Sequence, residues 1–273
     1  MTKKVPNSRR NLDLAIQREF GEGYLEVRTL MANTIVAQML PSGVVKGGSA
    51  IKFRLGDRDT RFSSDLDTVY RENLQDFIKD LEEELGKGWN GFTGHVVSRP
   101  PAKPSGAPRQ YAMQPFEVKL FYNSKPWLTV NLEVGHNEIG DADEPDWGIA
   151  SDVITIFERL GLPAPKPIPL MQLRHQIAQK LHGVSEPGSE RAHDLIDLQR
   201  ILNSESVSYE DLRATCRQLF AYRAGHAWPP VIAKGEDWNS LYVDQIGSLS
   251  VIESVNDAIA WANELVVKIE SSE

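Results

Sequence analysis

Cysteine is nearly missing from the chain. Cys216 is the only one in 273 residues, which excludes an intramolecular disulfide framework and a cysteine-based zinc site. It lies in a stretch that reads as helix, where an inert buried thiol is expected. Also lacking are an apolar run of 18 residues and, in the polar and basic stretch Met1 to Arg10, the apolar core of a secretory signal. No membrane association is expected, and a cytosolic protein is. Positive charge is in deficit: 30 Lys and Arg face 38 Asp and Glu, a formal net charge of −8. That balance argues against broad nonspecific binding to nucleic acid, so a nucleic-acid partner would have to be met by a local basic patch. What is present, 41% hydrophobic and 25% charged residues, is an ordinary globular composition in a chain long enough for one or two domains.

The most informative stretch runs from Lys46 to Tyr70, KGGSAIKFRLGDRDTRFSSDLDTVY. Gly47 and Gly48 let backbone N–H groups approach an anion without Cβ obstruction. With Ser49 starting a short helix to about Leu55, the unpaired N–H groups and the positive dipole end would face that same anion. Phe62 to Tyr70 reads as a strand, on which Asp65 and Asp67 point to one face about 6–7 Å apart. Two carboxylates that close repel unless a hard cation such as Mg²⁺ sits between them. Lys52, Arg54, Arg58 and Arg61 join the two devices and either neutralise a polyphosphate or solubilise a helix. The bland alternative is a loop turn followed by a solvated acidic strand.

Before this stretch, two helices are expected, one from a Ser8 cap to about Glu19 and, after a break at Gly21 to Gly23, a second to about Leu40 with Leu25, Leu30, Ile35, Val36 and Met39 as its apolar stripe. Pro41-Ser42-Gly43 ends it and Val44-Val45 form a short strand. After it, Glu72 to Gly86 is an amphipathic helix. Strands follow at Gly91–Val97, Phe116–Tyr122 and Leu128–Val134, with the proline-rich Ser98 to Gln110, carrying Lys103 and Arg109, as a dispensable hairpin tip rather than a basic flap. In Thr129 to Val134 the alternation puts Val130, Leu132 and Val134 inward and Thr129, Asn131 and Glu133 outward. Glu133 can thus stand beside Asp65 and Asp67 as a third carboxylate, or be an ordinary exposed glutamate.

The acidic segment His136 to Gly148 reads as loop, and GLPAPKPIP as a stiff linker. The expected organisation is α+β: residues 1–165 form a mixed sheet with flanking helices, and residues 166–273 form a helical domain. In the latter, Pro169–Leu181 is read as a helix with Leu170, Leu173, Ile177 and Leu181 inward, and RAHDLIDLQRIL as a second. Lys180 borders the first stripe and must snorkel or find an anion. Asp194 and Asp197, neighbours on the second helix, offer either a structural ion pair or a phosphate-orienting device. Helices capped by Ser208 and Ser254 follow, and Trp228, Trp238, Tyr242 and Trp261 are read mostly as helical core.

KGGSAIKF, RFSSDLD, the glutamate of VNLEV, QIAQKLHGV and RAHDLIDL, in that order, resemble the four motifs of the AbiEii/AbiGii toxin family. That family includes the MenT-type toxins and is built on the nucleotidyltransferase superfamily fold. The resemblance runs from about residue 44 to 202. It implies a toxin that transfers a nucleoside monophosphate from an NTP, with Mg²⁺, to an acceptor that for several members is the tRNA 3′ end, and a cognate antitoxin. It implies that Gly48 and Ser49 contact the phosphates, Asp65 and Asp67 bind Mg²⁺, and Arg61 steadies the triphosphate. Lys180 matches an essential lysine, and Asp194 and Asp197 match the aspartates of the last motif. The nucleotide is then expected in the cleft between the two parts. Asn131 stands where the family usually carries a basic residue, and Ser63 and Ser64 stand where some relatives are silenced by phosphorylation, although a serine before a strand is commonplace. Modification of a protein or small molecule, and an inactive binding module on the same fold, are the alternatives.

Overall fold

The computed structural model describes residues 4–100 and 113–272; Lys103 and Arg109 of the expected hairpin tip lie outside the described residues. Contacts divide the chain into two compact units. The first comprises the described residues up to Leu170, except Arg58–Arg61 and Glu138–Glu144, which join Met171 onward in the second.

In the first unit, Ser8 accepts from the Asn11 N–H and so caps α1 (Arg9–Phe20). After one 3₁₀ turn, α2 (Tyr24–Gln38) follows, with Leu30, Met31, Ile35 and Val36 fully buried. Leu25, expected on the buried stripe, is instead 56% exposed, because it lies in the first turn of a helix whose burial begins at Val27. Gly43, at a φ of 132° where an added Cβ would meet the Val69 carbonyl, turns the chain into β1 (Val44–Lys46). Next come α3 (Gly47–Leu55), β2 (Leu66–Tyr70), α4 (Leu74–Lys87), β3 (Phe92–Ser98), β4 (Gln114–Tyr122), β5 (Lys125–His136), β6 (Asp146–Gly148), α5 (Ser151–Arg159) and β7 (Ile168–Leu170).

The seven strands form one mixed sheet in the order β3-β4-β5-β2-β1-β7-β6. β2 lies parallel to β5 and β1 parallel to β7, and the other pairs are antiparallel. Leu66 of β2 and its register partner Leu132 of β5 are both fully buried, so the outward residues beside them, Asp67 and Glu133, share the other face.

β2 is shorter than expected. Phe62 to Asp65 precede it in irregular backbone, where side chains replace a strand partner: Asn33 donates to the Ser64 carbonyl at 3.3 Å and Ser49 to the Asp65 carbonyl at 2.5 Å. The proline-rich segment is also more than a linker. Gln38 brackets Lys166 with two 2.8 Å hydrogen bonds, and Ile168 to Leu170 enter the sheet as β7, whose Pro169 favours the extended backbone. Leu170 is therefore a strand residue and not part of the following helix's stripe.

The second unit is helical: α6 (Leu173–Ser185), α7 (His193–Ser204), α8 (Tyr209–Arg223), α9 (Trp238–Ile246) and α10 (Val255–Glu270). Ser208 and Ser254 cap α8 and α10 as expected. α9 was not legible from periodicity; it is held by buried Trp238, whose indole donates to the Ser189 carbonyl at 2.6 Å, and by buried Tyr242, which donates to the Ile252 carbonyl at 2.6 Å. The Glu138–Glu144 segment belongs here because Arg223 grips Glu138 at 2.6 Å and Gln179 grips Asp141 at 2.7 Å. Cys216 is buried on α8, where burial pushes its thiol pKa up and keeps it inert. The chain is thus α+β, a mixed sheet with flanking helices followed by helices, and no helix among the described residues is long and apolar enough to cross a membrane.

Candidate active site

One constellation lies on the sheet of the first unit. Lys46, the last residue of β1, pairs in register with Asp67 of β2, which pairs with Glu133 of β5. Directly paired residues point to one face, so a cation and two carboxylates form a row across three strands. Asp65 stands two residues before Asp67 at the entrance to β2. Its carboxylate accepts from Ser64 Oγ at 3.1 Å and from Asn131 Nδ2 at 3.1 Å. Asn131, two residues before Glu133, thus orients Asp65 from the neighbouring strand.

The crowding has an electrostatic signature. The Glu133 carboxyl is raised above its ordinary pKa, first by burial and then by the charges of Asp67 and Asp65, against a lowering by Lys46. Hard oxygen donors pressed together are the chemistry that a divalent cation such as Mg²⁺ relieves, so the donor types, though not a ready-made geometry, suit such an ion. As the side chains stand, no group of three or more His, Cys, Asp or Glu among the described residues is placed to hold a metal ion.

The glycine turn takes its place directly beside this row. α3 begins at Gly47, with Lys46 in the cap position and no side-chain cap. The N–H groups of Gly47, Gly48 and Ser49 therefore stand in the first turn, without intrahelical carbonyl partners. Gly47 is at φ 64°, and a Cβ there would run into the Asp67 carboxylate. The residue that frees the turn for an anion also lets the metal-ligand candidate approach it. The hydroxyl of buried Ser49 is turned to the Asp65 carbonyl, so any phosphate contact from Ser49 is left to its backbone N–H. Gly47→Ala is expected to destabilise the protein by at least about 1–2 kcal/mol from the left-handed backbone alone and to cut activity further by displacing Asp67. A thermal melt beside a rate measurement checks both effects.

A second constellation lies in the second unit. Lys180 Nζ on α6 donates to Asp194 Oδ1 at 2.8 Å and Asp197 Oδ2 at 2.6 Å, both on α7. Arg61 holds Asp197 with two 3.0 Å hydrogen bonds, and Arg191 holds the other oxygen of Asp194 at 2.6 Å. Arg200 fixes the segment that carries Arg61 by binding the Asp59 carbonyl at 2.8 Å and carboxylate at 2.9 Å. The Asp194 side chain is 0% exposed and those of Lys180 and Asp197 are 5% and 3% exposed. Burial alone would raise both carboxyl pKa values. Arg191 and Lys180 at Asp194, and Lys180 and Arg61 at Asp197, overcome it and hold both below the ordinary range. Arg61 is raised despite its own burial, chiefly by Asp197.

Because these aspartates have lower pKa values folded than unfolded, their stabilising contribution is complete above the unfolded value of about 4 and is lost as pH falls through the folded values. An acid titration followed by circular dichroism is expected to show unfolding only below about pH 4, and at higher pH in Asp194→Asn.

Arg191 and His193 were not singled out from sequence. His193 Nε2 lies 3.7 Å from Asp194 Oδ1. Its pKa falls to about 4, chiefly through burial, leaving it neutral at pH 7. Arg191 lies three residues before Asp194, a spacing that on a helix signals a neighbour. Lys46 was visible only as the residue before the double glycine; its role in the acidic row needed the register of β1.

No curated protein matches the chain. Among solved structures, it is similar to MenT4, a nucleotidyltransferase toxin from Mycobacterium tuberculosis H37Rv, at 17% identity over 97% of this chain and 90% of that one, with a TM-score of 0.59. A candidate nucleotidyltransferase from Helicobacter pylori aligns at 16% identity over 92% of this chain and 96% of its own, with a TM-score of 0.49. At such identity the likeness to MenT4 speaks for the fold. A family model described as the nucleotidyl transferase AbiEii toxin of type IV toxin–antitoxin systems matches residues 28–260. The chain therefore belongs to the AbiEii family of nucleotidyltransferase toxins.

Proposed function

We propose that the protein transfers a nucleoside monophosphate from an NTP to an RNA acceptor, the tRNA 3′ end, using Mg²⁺ and releasing pyrophosphate. The observation that supports this most is the row Lys46, Asp67 and Glu133, with Asp65 beside it and the first turn of α3 adjoining. Membership of a toxin–antitoxin family adds an antitoxin as partner.

In this reading the N–H groups of Gly47, Gly48 and Ser49 bind phosphate oxygens, and Lys46 balances charge at the row. Asp65, Asp67 and Glu133 would hold Mg²⁺, which would supply charge neutralisation at the triphosphate and acidify the attacking hydroxyl. The terminal ribose hydroxyl of the acceptor forms a bond to the α-phosphorus while the bond to the bridging oxygen breaks. Pyrophosphate departs with that electron pair, and the hydroxyl proton passes to a carboxylate of the row. Lys180 and Arg61 bind the nucleotide phosphates, and Asp194 and Asp197 hold these cations in place. Positioning and charge stabilisation carry such a reaction, with no covalent enzyme intermediate.

The test is to incubate the purified protein with each labelled NTP, Mg²⁺ and total RNA. Label in the tRNA band is the expected result. Label in a protein or small-molecule fraction would move the acceptor to another class, and no label in any fraction from folded protein would defeat the reading.

A further inference from the structure

An RNA acceptor poses an electrostatic difficulty for a chain of net charge −8. A hollow of about 430 Å³ on α1 and α2 answers it. Arg9, Arg10, Gln17, Tyr24 and Arg28 line it, with Asp13 as the one acid among the described residues of the lining. We propose that this hollow is a docking site for the sugar–phosphate backbone of the RNA acceptor, an inference that rests on the proposed RNA-directed function.

Three guanidinium groups meet one carboxylate there, and that carboxylate is already shared. Asp13 takes Arg9 at 3.1 Å on one oxygen, and Arg28 at 3.0 Å and the Trp127 indole at 3.0 Å on the other. Arg28 is further fixed by donating to the Trp127 carbonyl at 3.2 Å and lies 5.9 Å from the Trp127 ring centroid. It is a held cation, whereas Arg9 and Arg10 are exposed. Arg9 uses one edge of its fork in the i,i+4 pair with Asp13, and neither exposed arginine is favoured by the helix dipole, which disfavours cations at that end, where the first turn holds no acid. The chemistry also suits the backbone of a nucleic acid better than a free nucleotide. Planar forks bind phosphate oxygens, and the sequence adds Lys4 to Arg9 and Arg10 with no acid among residues 1–12.

The hollow is remote from the acidic row within the same unit. Trp127, which anchors Arg28, is six residues from Glu133 along β5, about 20 Å at 3.3 Å per residue. It therefore acts in holding RNA rather than in the chemistry.

The experiment measures binding of a fluorescent tRNA to the full chain without NTP across a range of salt, for the wild type, Arg10→Glu and the double variant Arg9→Ala/Arg10→Ala. Because catalysis is not required, failure of this inference is distinguishable from failure of the transfer assay. The double variant is expected to bind about tenfold more weakly at low salt, with the slope of log affinity against log salt reduced by about 0.7–0.9 for each arginine removed. Unchanged circular dichroism would show that it is folded. Wild-type affinity and slope in the folded double variant would overturn the proposal. So would displacement of RNA by millimolar inorganic phosphate, which marks a simple anion site, or preferential binding of poly-glutamate, which marks an acidic protein partner.

Discussion

Asp67→Asn is expected to slow nucleotide transfer by about 1,000-fold or more, about 4 kcal/mol of transition-state stabilisation, while leaving the protein folded and slightly more stable at neutral pH. The two halves of this result have one cause. Asp67 is flanked in register by Lys46 and Glu133 and has Asp65 two residues away. It helps to raise the Glu133 carboxyl pKa. A carboxyl whose pKa is raised on folding costs stability as pH rises through that value, so deleting a neighbouring negative charge relieves part of the cost. The amide preserves the shape against which Gly47 packs, and with it the glycine turn. What it removes is the anionic ligand proposed for the metal. Labelled-NTP turnover and a thermal melt on the same preparation check the prediction, and a folded Asp67→Asn variant with full activity would sink the assignment of the acidic row. A control with Asn131→Ala separates ligand from positioner. Losing the 3.1 Å bond to Asp65 should cost far less, about fivefold, because one orienting hydrogen bond is worth about 1 kcal/mol.

Much of this arrangement was visible in the sequence because it depends on short-range geometry. The side-chain period of two places Val130, Leu132 and Val134 inward and Asn131 and Glu133 outward, as β5 has them. The Ser8, Ser208 and Ser254 caps are local chemistry and stand where expected. What sequence could not supply was pairing. That Asp67 lies opposite both Lys46 and Glu133 is a property of strand register, and Asn131 acquires its role only through Asp65 on the adjacent strand. The start of β2 was missed because side chains from Asn33 and Ser49 satisfy the backbone of Ser64 and Asp65, a solution that has no periodicity. β6, β7 and α9 are short elements set by tertiary context: β6 by its pairing with β7, β7 by buried Ile168 and Leu170, and α9 by Trp238 and Tyr242. Lys180 was legible as a lysine needing an anion, but not as one needing two.

That double demand sets the other large expected effect. Lys180→Met is expected to destabilise the protein by about 3 kcal/mol, the lower end of the cost of breaking a buried charge pair, because Arg191 still covers Asp194 and Arg61 still covers Asp197. At about 2–4 °C per kcal/mol for a protein of this size, the melting temperature should fall by about 6–12 °C. A lysine that served only to staple α6 to α7 would leave turnover nearly intact when assayed well below that lowered melting point. We expect instead a loss of at least about 100-fold at 15 °C, with KM for the NTP raised, because the ammonium is proposed to bind phosphate as well as the two aspartates. Lys180→Arg sharpens the distinction. It restores the charge, so part of the stability should return. The space between Asp194 and Asp197 is set by contacts of 2.8 and 2.6 Å to a single nitrogen, and a planar fork does not reproduce a compact ammonium at that point. Stability recovered without turnover would assign Lys180 to the nucleotide, whereas recovery of both would reduce it to a structural cation.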